Sequence, residues 1–274
     1  MKRRTIAKEI EYTGVGLHKG ENIKMRLLPG DSGIVFKRVD LENKKNEISL
    51  DIINTFDLTR GTNIQNEFGA KVYTIEHFLS ALAAADITDL IVELDGNELP
   101  ICDGSAKVFI ELFEQAGIKE LEKDIMPIVI KKPVYLSAGD KNIVALPYDG
   151  YKITYAIRFE HKFLKSQLIE FDLNMKTYKK EIAPARTFGF DYEIEYLKKN
   201  NLALGGTLDN AIVVTETGVL NPGGLRFEDE FVRHKMLDII GDLKILNRPI
   251  QGHIIAIKAG HALDIEFAKL LKNM

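Results

Sequence analysis

Polar and apolar residues alternate through much of the first sixty residues, a pattern typical of strands that bury one face. The clearest alternation runs over 23–28 and stops at Pro29–Gly30, a pair that ends strands. Apolar residues at helical spacing predict a helix over 74–85, with Thr74 as its N-cap. Further strands are predicted at 6–12, 34–36, 48–53, 90–94, 128–130, 134–136, 142–146, 153–159, 211–215 and 254–258. Further helices are predicted at 106–116, 192–199, 264–272, and from about 228 to 243.

The chain divides into two halves that follow the same order of elements. In each half a helix with a histidine at its start, His77 or His234, is followed by a strand, a glycine turn and a second helix. We interpret the charged run 119–124 as the linker between the halves. The sequence therefore predicts an α+β fold of two related domains, residues 1–123 and 127–274. Related halves that pack together bring equivalent helix ends to one cleft, where the two histidines would meet.

The composition limits which class of protein this chain can be and which residues can form a metal site. The chain has 274 residues, 45% hydrophobic and 28% charged, which is typical of a folded globular protein. A net charge of −3, with Lys and Arg spread along the chain, gives no sign of nucleic-acid binding. We expect neither a signal peptide nor a membrane anchor, since no segment approaches the roughly 20 apolar residues of a membrane span. The single Cys102 excludes an internal disulfide and indicates a reducing, cytoplasmic compartment, so a metal site must use histidines and carboxylates.

The helix predicted near residue 228 carries three polar residues at a spacing of four. His234, Asp238 and Asp242 therefore lie on one face of that helix. An imidazole one turn from a carboxylate is a usable pair of metal ligands. The simpler alternative is a His–Asp hydrogen bond on a solvated helix surface. The metal hypothesis needs a third ligand and a base from elsewhere in the chain.

The first half supplies both of these groups. His77, His234 and Asp238 are two imidazoles and one carboxylate, and three protein ligands with an open fourth position are typical of a catalytic zinc site. Such an ion lowers the pKa of a bound water from about 15.7 to about 7. Glu76, next to His77, is then the candidate base for that water. The alternative for His77 is a capping contact at a helix N-terminus.

Amide hydrolysis also needs a proton donor and a site for the oxyanion. His261 follows Gly260 in a turn and is the candidate acid, held as an imidazolium by Asp242. Lys235 and Thr187 are candidates for stabilising the oxyanion. The other histidines have no predicted chemical role. We interpret His18 as an exposed loop residue, and His161 and His253 as structural or solvated.

Five motifs together resemble one family, the UDP-3-O-acyl-N-acetylglucosamine deacetylases of lipid A biosynthesis. They follow the family's order and extend the resemblance over nearly the whole chain. The motifs are Thr74-Ile75-Glu76-His77, the run R-H-K-M-L-D-I-I-G-D-L over 233–243, Gly260-His261-Ala262-Leu263, Gly14-Val15-Gly16-Leu17-His18 and Ala185-Arg186-Thr187-Phe188-Gly189-Phe190.

The resemblance implies two related α+β domains whose helices are layered between two sheets, with one Zn²⁺ ion. It implies the same ligands, base, acid and oxyanion contacts as the residue chemistry does. It also implies a hydrophobic passage for the fatty acyl chain, formed by an insert over 187–214. The implied passage positions are Phe188, Ile194, Ala203, Gly206 and Thr207. Lys258 resembles a family position near the diphosphate, and Glu193 stands where some members carry Asp. The segment 54–68 aligns poorly with the family, and we assign it no substrate contacts.

These observations predict a cytoplasmic, monomeric zinc amidohydrolase. Its expected reaction is hydrolysis of the acetamide of UDP-3-O-(3-hydroxyacyl)-N-acetylglucosamine, which releases acetate and the free amine. A different amidase or esterase with the same metal centre is the first alternative. A non-catalytic binding protein on a duplicated scaffold is the second, and it would lack an open metal site.

Overall fold

The computed structural model describes residues 1–42 and 45–274, and each half supplies its own set of strands and helices. In the first half these are β1 (Lys2–Ile6), β2 (Ile10–Val15), β3 (Asn22–Pro29), β4 (Ile34–Arg38), β5 (Glu47–Ser49), β6 (Thr55–Phe56), β7 (Asn63–Gln65), β8 (Lys71–Val72), α1 (Glu76–Ala84), β9 (Leu90–Leu94), α2 (Lys107–Ala116) and β10 (Ile118–Asp124). In the second half they are β11 (Ile128–Val129), β12 (Val134–Ala138), β13 (Lys141–Leu146), β14 (Tyr151–Arg158), β15 (Ser166–Asp172), α3 (Met175–Thr177), β16 (Phe188–Phe190), α4 (Ile194–Lys199), β17 (Ile212–Thr215), β18 (Gly218–Val219), α5 (Glu230–Leu243), β19 (Ile250–Ile257) and α6 (His261–Lys272).

The main sheets of the two halves have the same strand order and direction. The first runs β2-β3-β9-β4-β5 and the second runs β12-β13-β19-β14-β15. In each, the central strand is antiparallel to one neighbour and parallel to the other, as β9 is to β3 and β4, and as β19 is to β13 and β14. The predicted α+β duplication is therefore confirmed, because the same topology occurs twice although the two halves have little sequence in common.

The helices lie between the two sheets. Phe78 of α1 packs against Phe36 of β4 and against Phe109 and Phe113 of α2, so this helix pair covers the first sheet. Helix α5 contacts β14 and β15, and α6 contacts β12 and β13. The two layers meet where α1 packs on α5. Strand alternation explains this arrangement, since β3 points Ile23, Met25 and Leu27 into the core and its polar residues outward.

A glycine lets α1 and α5 approach closely at the site. A Cβ atom added to Gly241 would lie 2.0 Å from the backbone oxygen of Glu76. No side chain larger than hydrogen fits between these two backbones without moving a helix. The close approach brings the start of α1 beside the C-terminal part of α5. The histidines predicted to meet are carried on these two helices.

The charged run 119–124 is not a linker, and this prediction was wrong. It belongs to β10, which pairs antiparallel with β1 at the N-terminus. Charged residues on both faces of this two-stranded sheet remain exposed, so the run lacks the apolar alternation by which strands are recognised. The domain limits at 123 and 127 remain a prediction.

Three local predictions at helix starts were also wrong. Thr74 does not cap α1, because its backbone is left-handed, at φ 57°, and its hydroxyl donates to the buried carboxylate of Glu98 at 3.0 Å. His234 is the fifth residue of α5 rather than near its start, since the helix begins at Glu230. His261 is not in a turn but is the first residue of α6. Within the two described ranges, no helix has both the length and the apolar character needed to cross a membrane.

Candidate active site

Two imidazoles and one carboxylate converge where α1 meets α5. His77 Nε2 lies 3.6 Å from Asp238 Oδ1, and His234 Nε2 lies 3.3 Å from the same oxygen. The imidazole rings are nearly perpendicular, with centroids 4.8 Å apart. All three side chains are buried, and one donor atom of each lies within 4.8 Å of the others. Together they form a set of ligands that can hold one metal ion.

The hydrogen bonds around this cluster leave a metal-facing atom free on each ligand. His234 Nδ1 donates to the carbonyl oxygen of Ala185 at 3.1 Å, which turns Nε2 toward the cluster. Lys235 Nζ donates to Asp238 Oδ2 at 2.5 Å, and Oδ1 is buried with no hydrogen-bond partner among the described residues. An orphaned carboxylate oxygen is costly to bury, and a cation removes that cost. The donor set of two nitrogens and one oxygen therefore fits a divalent ion such as zinc.

The protonation states suit metal ligands. Burial lowers the pKa of His77 to about 3 and also lowers the pKa of His234, so both imidazoles are neutral. Burial opposes ionisation of Asp238, but the adjacent Lys235 ammonium holds the pKa of that carboxyl well below its usual range. Neutral imidazoles and an ionised carboxylate are the forms that bind metals.

Glu76 and His261 lie beside the ligands with opposite proton-transfer properties. Burial raises the pKa of Glu76 to about 7, which places its proton exchange near neutrality. Burial alone would lower the pKa of His261, but the carboxylate of Asp242 raises it to about 10. His261 Nδ1 donates to Asp242 Oδ2 at 2.8 Å. A carboxylate able to accept a proton and an imidazolium able to give one therefore face the same space.

That space is a cavity of about 640 Å³. Its lining includes the three metal-type ligands, Glu76 and His261, together with Lys235 and Thr187, which were predicted to contact the oxyanion. The cavity continues under the insert, where all five predicted passage positions line it: Phe188, Ile194, Ala203, Gly206 and Thr207. Asp242 lies behind His261 and reaches the cavity through it. The structure thus brings together every predicted site residue except Lys258.

The place of Lys258 near the diphosphate stays a prediction. Its ammonium ion pairs with Asp140, and it is not among the described residues that line the cavity. Glu193 does line the cavity, and it forms an ion pair at 3.1 Å with Arg60. Arg60 belongs to the segment 54–68, to which the sequence assigned no contacts. This loop therefore reaches the mouth of the cavity and meets the insert there.

His18 was wrongly predicted to be an exposed loop residue. It lines the cavity, and its Nδ1 accepts a hydrogen bond from the backbone of Ala203 at 3.3 Å. The turn that carries it seats the insert, since Leu204 N donates to His18 O and Gly205 N donates to Leu17 O. Both segments contain several glycines, which permit close approach of two backbones, and this shared feature of the sequence could have predicted the contact.

A buried ion pair holds the segment that leads into β16 beside the ligands. Glu230, at the start of α5, accepts hydrogen bonds from the backbone and guanidinium of Arg186 and from the backbone of Arg226. Arg186 stands between Ala185, whose carbonyl orients His234, and Thr187. No role was predicted for this arginine, because its partner lies 44 residues away.

Comparison with known proteins agrees with this geometry. Residues 3–273 match the model of the family described as LpxC, UDP-3-O-acyl N-acetylglycosamine deacetylase. Curated proteins named UDP-3-O-acyl-N-acetylglucosamine deacetylase are similar over nearly their full length. The protein from Idiomarina loihiensis is 45% identical over 99% of this chain and 90% of its own, and that from Alcanivorax borkumensis is 46% identical over 96% and 88%. The protein from Thermodesulfovibrio yellowstonii is 43% identical over 98% and 91%. The chain therefore belongs to the UDP-3-O-acyl N-acetylglycosamine deacetylase family, a family of metalloenzymes that act in lipid A biosynthesis.

Proposed function

We propose that this chain hydrolyses the acetamide of UDP-3-O-(3-hydroxyacyl)-N-acetylglucosamine with one Zn²⁺ ion held by His77, His234 and Asp238. The observation that carries the proposal is the convergence of these three donors in one cavity with Glu76 and His261. The orphaned Oδ1 of Asp238 is additional support, since a cation there would give it a partner.

The reaction needs a nucleophilic water and a base. A zinc ion in this position would act as a Lewis acid toward both a water molecule and the amide carbonyl. Glu76 accepts the proton of the attacking water, a role supported by its place beside His77 and by a pKa of about 7. The water oxygen then bonds to the acetyl carbon, and negative charge develops on the carbonyl oxygen.

Two donors and one acid complete the reaction. The Lys235 ammonium and the Thr187 hydroxyl line the cavity and stabilise the developing oxyanion. His261 gives its proton to the amine nitrogen as the carbon–nitrogen bond breaks, so a neutral amine and acetic acid leave, and the acid releases its proton to solvent to become acetate. Asp242 keeps that imidazole oriented and protonated through the bond from Nδ1. These roles are proposals for groups whose positions, hydrogen bonds and pKa directions suit them.

The arm of the cavity beneath the insert is proposed as the acyl passage. Apolar and small residues line it, including Phe188, Ile194 and Ala203. A fatty acyl chain gains about 0.8 kcal/mol for each methylene group removed from water. We expect substrates without the acyl chain to be deacetylated much more slowly. Equal activity on acylated and unacylated sugar nucleotides would refute the passage.

The metal is tested first. Elemental analysis of the purified protein should find close to one zinc per chain, and chelation should abolish deacetylation that added zinc restores. His234→Ala should lose the metal while the protein stays folded. A chelated protein that keeps full activity would overturn the proposed centre.

The proton-transfer roles are tested by Glu76→Ala and His261→Ala. Each should lower the deacetylation rate on the order of 10²-fold or more, while zinc content is retained. His253→Ala is the matched control, because this histidine lies on β19 and bonds Thr154 outside the cavity. Turnover near that of the wild type in both active-site variants would contradict the mechanism.

We also propose a cytoplasmic, monomeric protein with domain limits at residues 123 and 127. Its single cysteine supports a reducing compartment. Sedimentation of the purified protein tests the monomer, and cell fractionation tests the compartment.

A further inference from the structure

Thr62 contacts Glu76 and Asp242, the hydrogen-bond partner of His261, from a loop that the sequence left unassigned. Its backbone N–H donates to Glu76 Oε2 at 2.8 Å, and its hydroxyl donates to Asp242 Oδ1 at 2.5 Å. Its carbonyl oxygen accepts from the backbone N–H of Ile75, just ahead of α1. Thr62 is completely buried. One residue thus links the start of α1 with the end of α5.

The two oxygens of Asp242 are divided between Thr62 and His261. Oδ1 accepts from the threonine hydroxyl, and Oδ2 accepts from His261 Nδ1 at 2.8 Å. An ionised carboxylate only accepts hydrogen bonds, so the hydroxyl must be the donor. Because a carboxylate is planar, fixing Oδ1 also fixes the direction in which Oδ2 faces the imidazole. The side chain of threonine is itself stiff, since it branches at Cβ.

We propose that Thr62 is a positioning residue that aligns Glu76 and the Asp242–His261 pair for deacetylation. The inference rests on the proposed function, which gives these groups their roles as base and acid. Through its backbone Thr62 orients the carboxylate that takes the proton of water. Through its hydroxyl it orients the imidazole that gives a proton to the amine. One residue thereby sets the position of both the proton acceptor and the proton donor.

The test is Thr62→Val, which removes the hydroxyl, keeps the side-chain shape and leaves the backbone bond to Glu76 in place. We expect kcat to fall by about 10- to 100-fold with KM and zinc content nearly unchanged. Thr62→Ser, which keeps the donor, should restore most of kcat. Thr88→Val is the matched control. Thr88 is a buried threonine whose hydroxyl donates to the Asp89 carboxylate at 2.6 Å, away from the cavity.

A double-mutant cycle separates positioning from general weakening of the fold. In a His261→Ala background Thr62→Val should have little further effect on kcat, since its hydroxyl acts through that imidazole. A full multiplicative loss in that background would overturn the inference, and so would unchanged kcat in Thr62→Val or an equal loss in Thr88→Val. If the valine variant does not fold, Thr62→Ala measured at low temperature removes the same donor and decides the question. Full activity in Glu76→Ala and His261→Ala would instead refute the proposed function, so the two failures are distinguishable.

Discussion

Gly241 offers the most direct test of how the two halves form one site. Replacing it with alanine places a Cβ atom 2.0 Å from the carbonyl oxygen of Glu76 and 2.8 Å from the carbonyl carbon. Ordinary contacts begin near 3.4 Å, so α1 and α5 must separate by roughly 1.4 Å. The clash is between helix backbones, and no side-chain rotation relieves it.

Two opposing effects set the magnitude of the stability change. Overpacking of this kind costs about 1 to 3 kcal/mol. Alanine in a helix regains up to about 1 kcal/mol over glycine. We therefore expect the net destabilisation of Gly241→Ala to lie between roughly 0 and 3 kcal/mol. The loss of activity should be larger, because a displacement of about 1 Å between reacting groups can cost on the order of 10²-fold in rate.

The assays are denaturant unfolding, zinc content and kcat/KM on one preparation. Gly218→Ala is the control, since its added Cβ has no neighbour within 4 Å among the described residues and its backbone conformation accepts alanine. We expect the control to match the wild type. A Gly241→Ala protein with full zinc, normal kcat/KM and undiminished stability would refute the close approach of α1 and α5.

Three further predictions concern Lys244 and Glu230, which are buried, and Ile194, which lines the cavity. Burial lowers the pKa of Lys244 to about 8, although the charges of Asp86 and Asp89 act in the opposite direction. Between pH 8 and 10.5 this lysine is therefore protonated in the unfolded chain but not in the folded one, and the free energy of unfolding rises with pH over that range. Lys244→Met should therefore be more stable than the wild type by about 3 kcal/mol at pH 7, with the gain lost by pH 10.5; an equal difference in unfolding free energy at both pH values would contradict this. Glu230→Ala should lower the free energy of unfolding by about 3 to 5 kcal/mol, because it leaves the buried guanidinium of Arg186 without its carboxylate partner. A loss below about 1 kcal/mol in denaturant unfolding would contradict this prediction. Ile194→Trp should raise KM by roughly 200-fold for a long-chain substrate if it displaces about four methylene groups, but should leave an unacylated substrate unaffected.

The sequence determined the elements and much of the candidate site, because these depend on local patterns. The i, i+4 spacing placed His234 and Asp238 on one face of a helix, and helix geometry alone ensures this. The repeated order of helix, strand and glycine turn matched His77 to the second half and predicted the duplicated fold. The family resemblance placed the passage positions, and the cavity extends along them. The identity of the metal and the roles of these residues remain predictions.

Only the tertiary structure decided which distant polar groups meet. Thr62 reaches Asp242 across 180 residues, and a lone threonine in a polar loop has no periodic signature that announces it. Thr74 resembled an N-cap, but the buried carboxylate of Glu98 competes for its hydroxyl. The charged run 119–124 lacked strand alternation, yet pairing with β1 made it a strand because neither face needed to be buried. Local spacing thus selected the candidate site residues, whereas long-range packing, above all at Gly241, determined their relative positions.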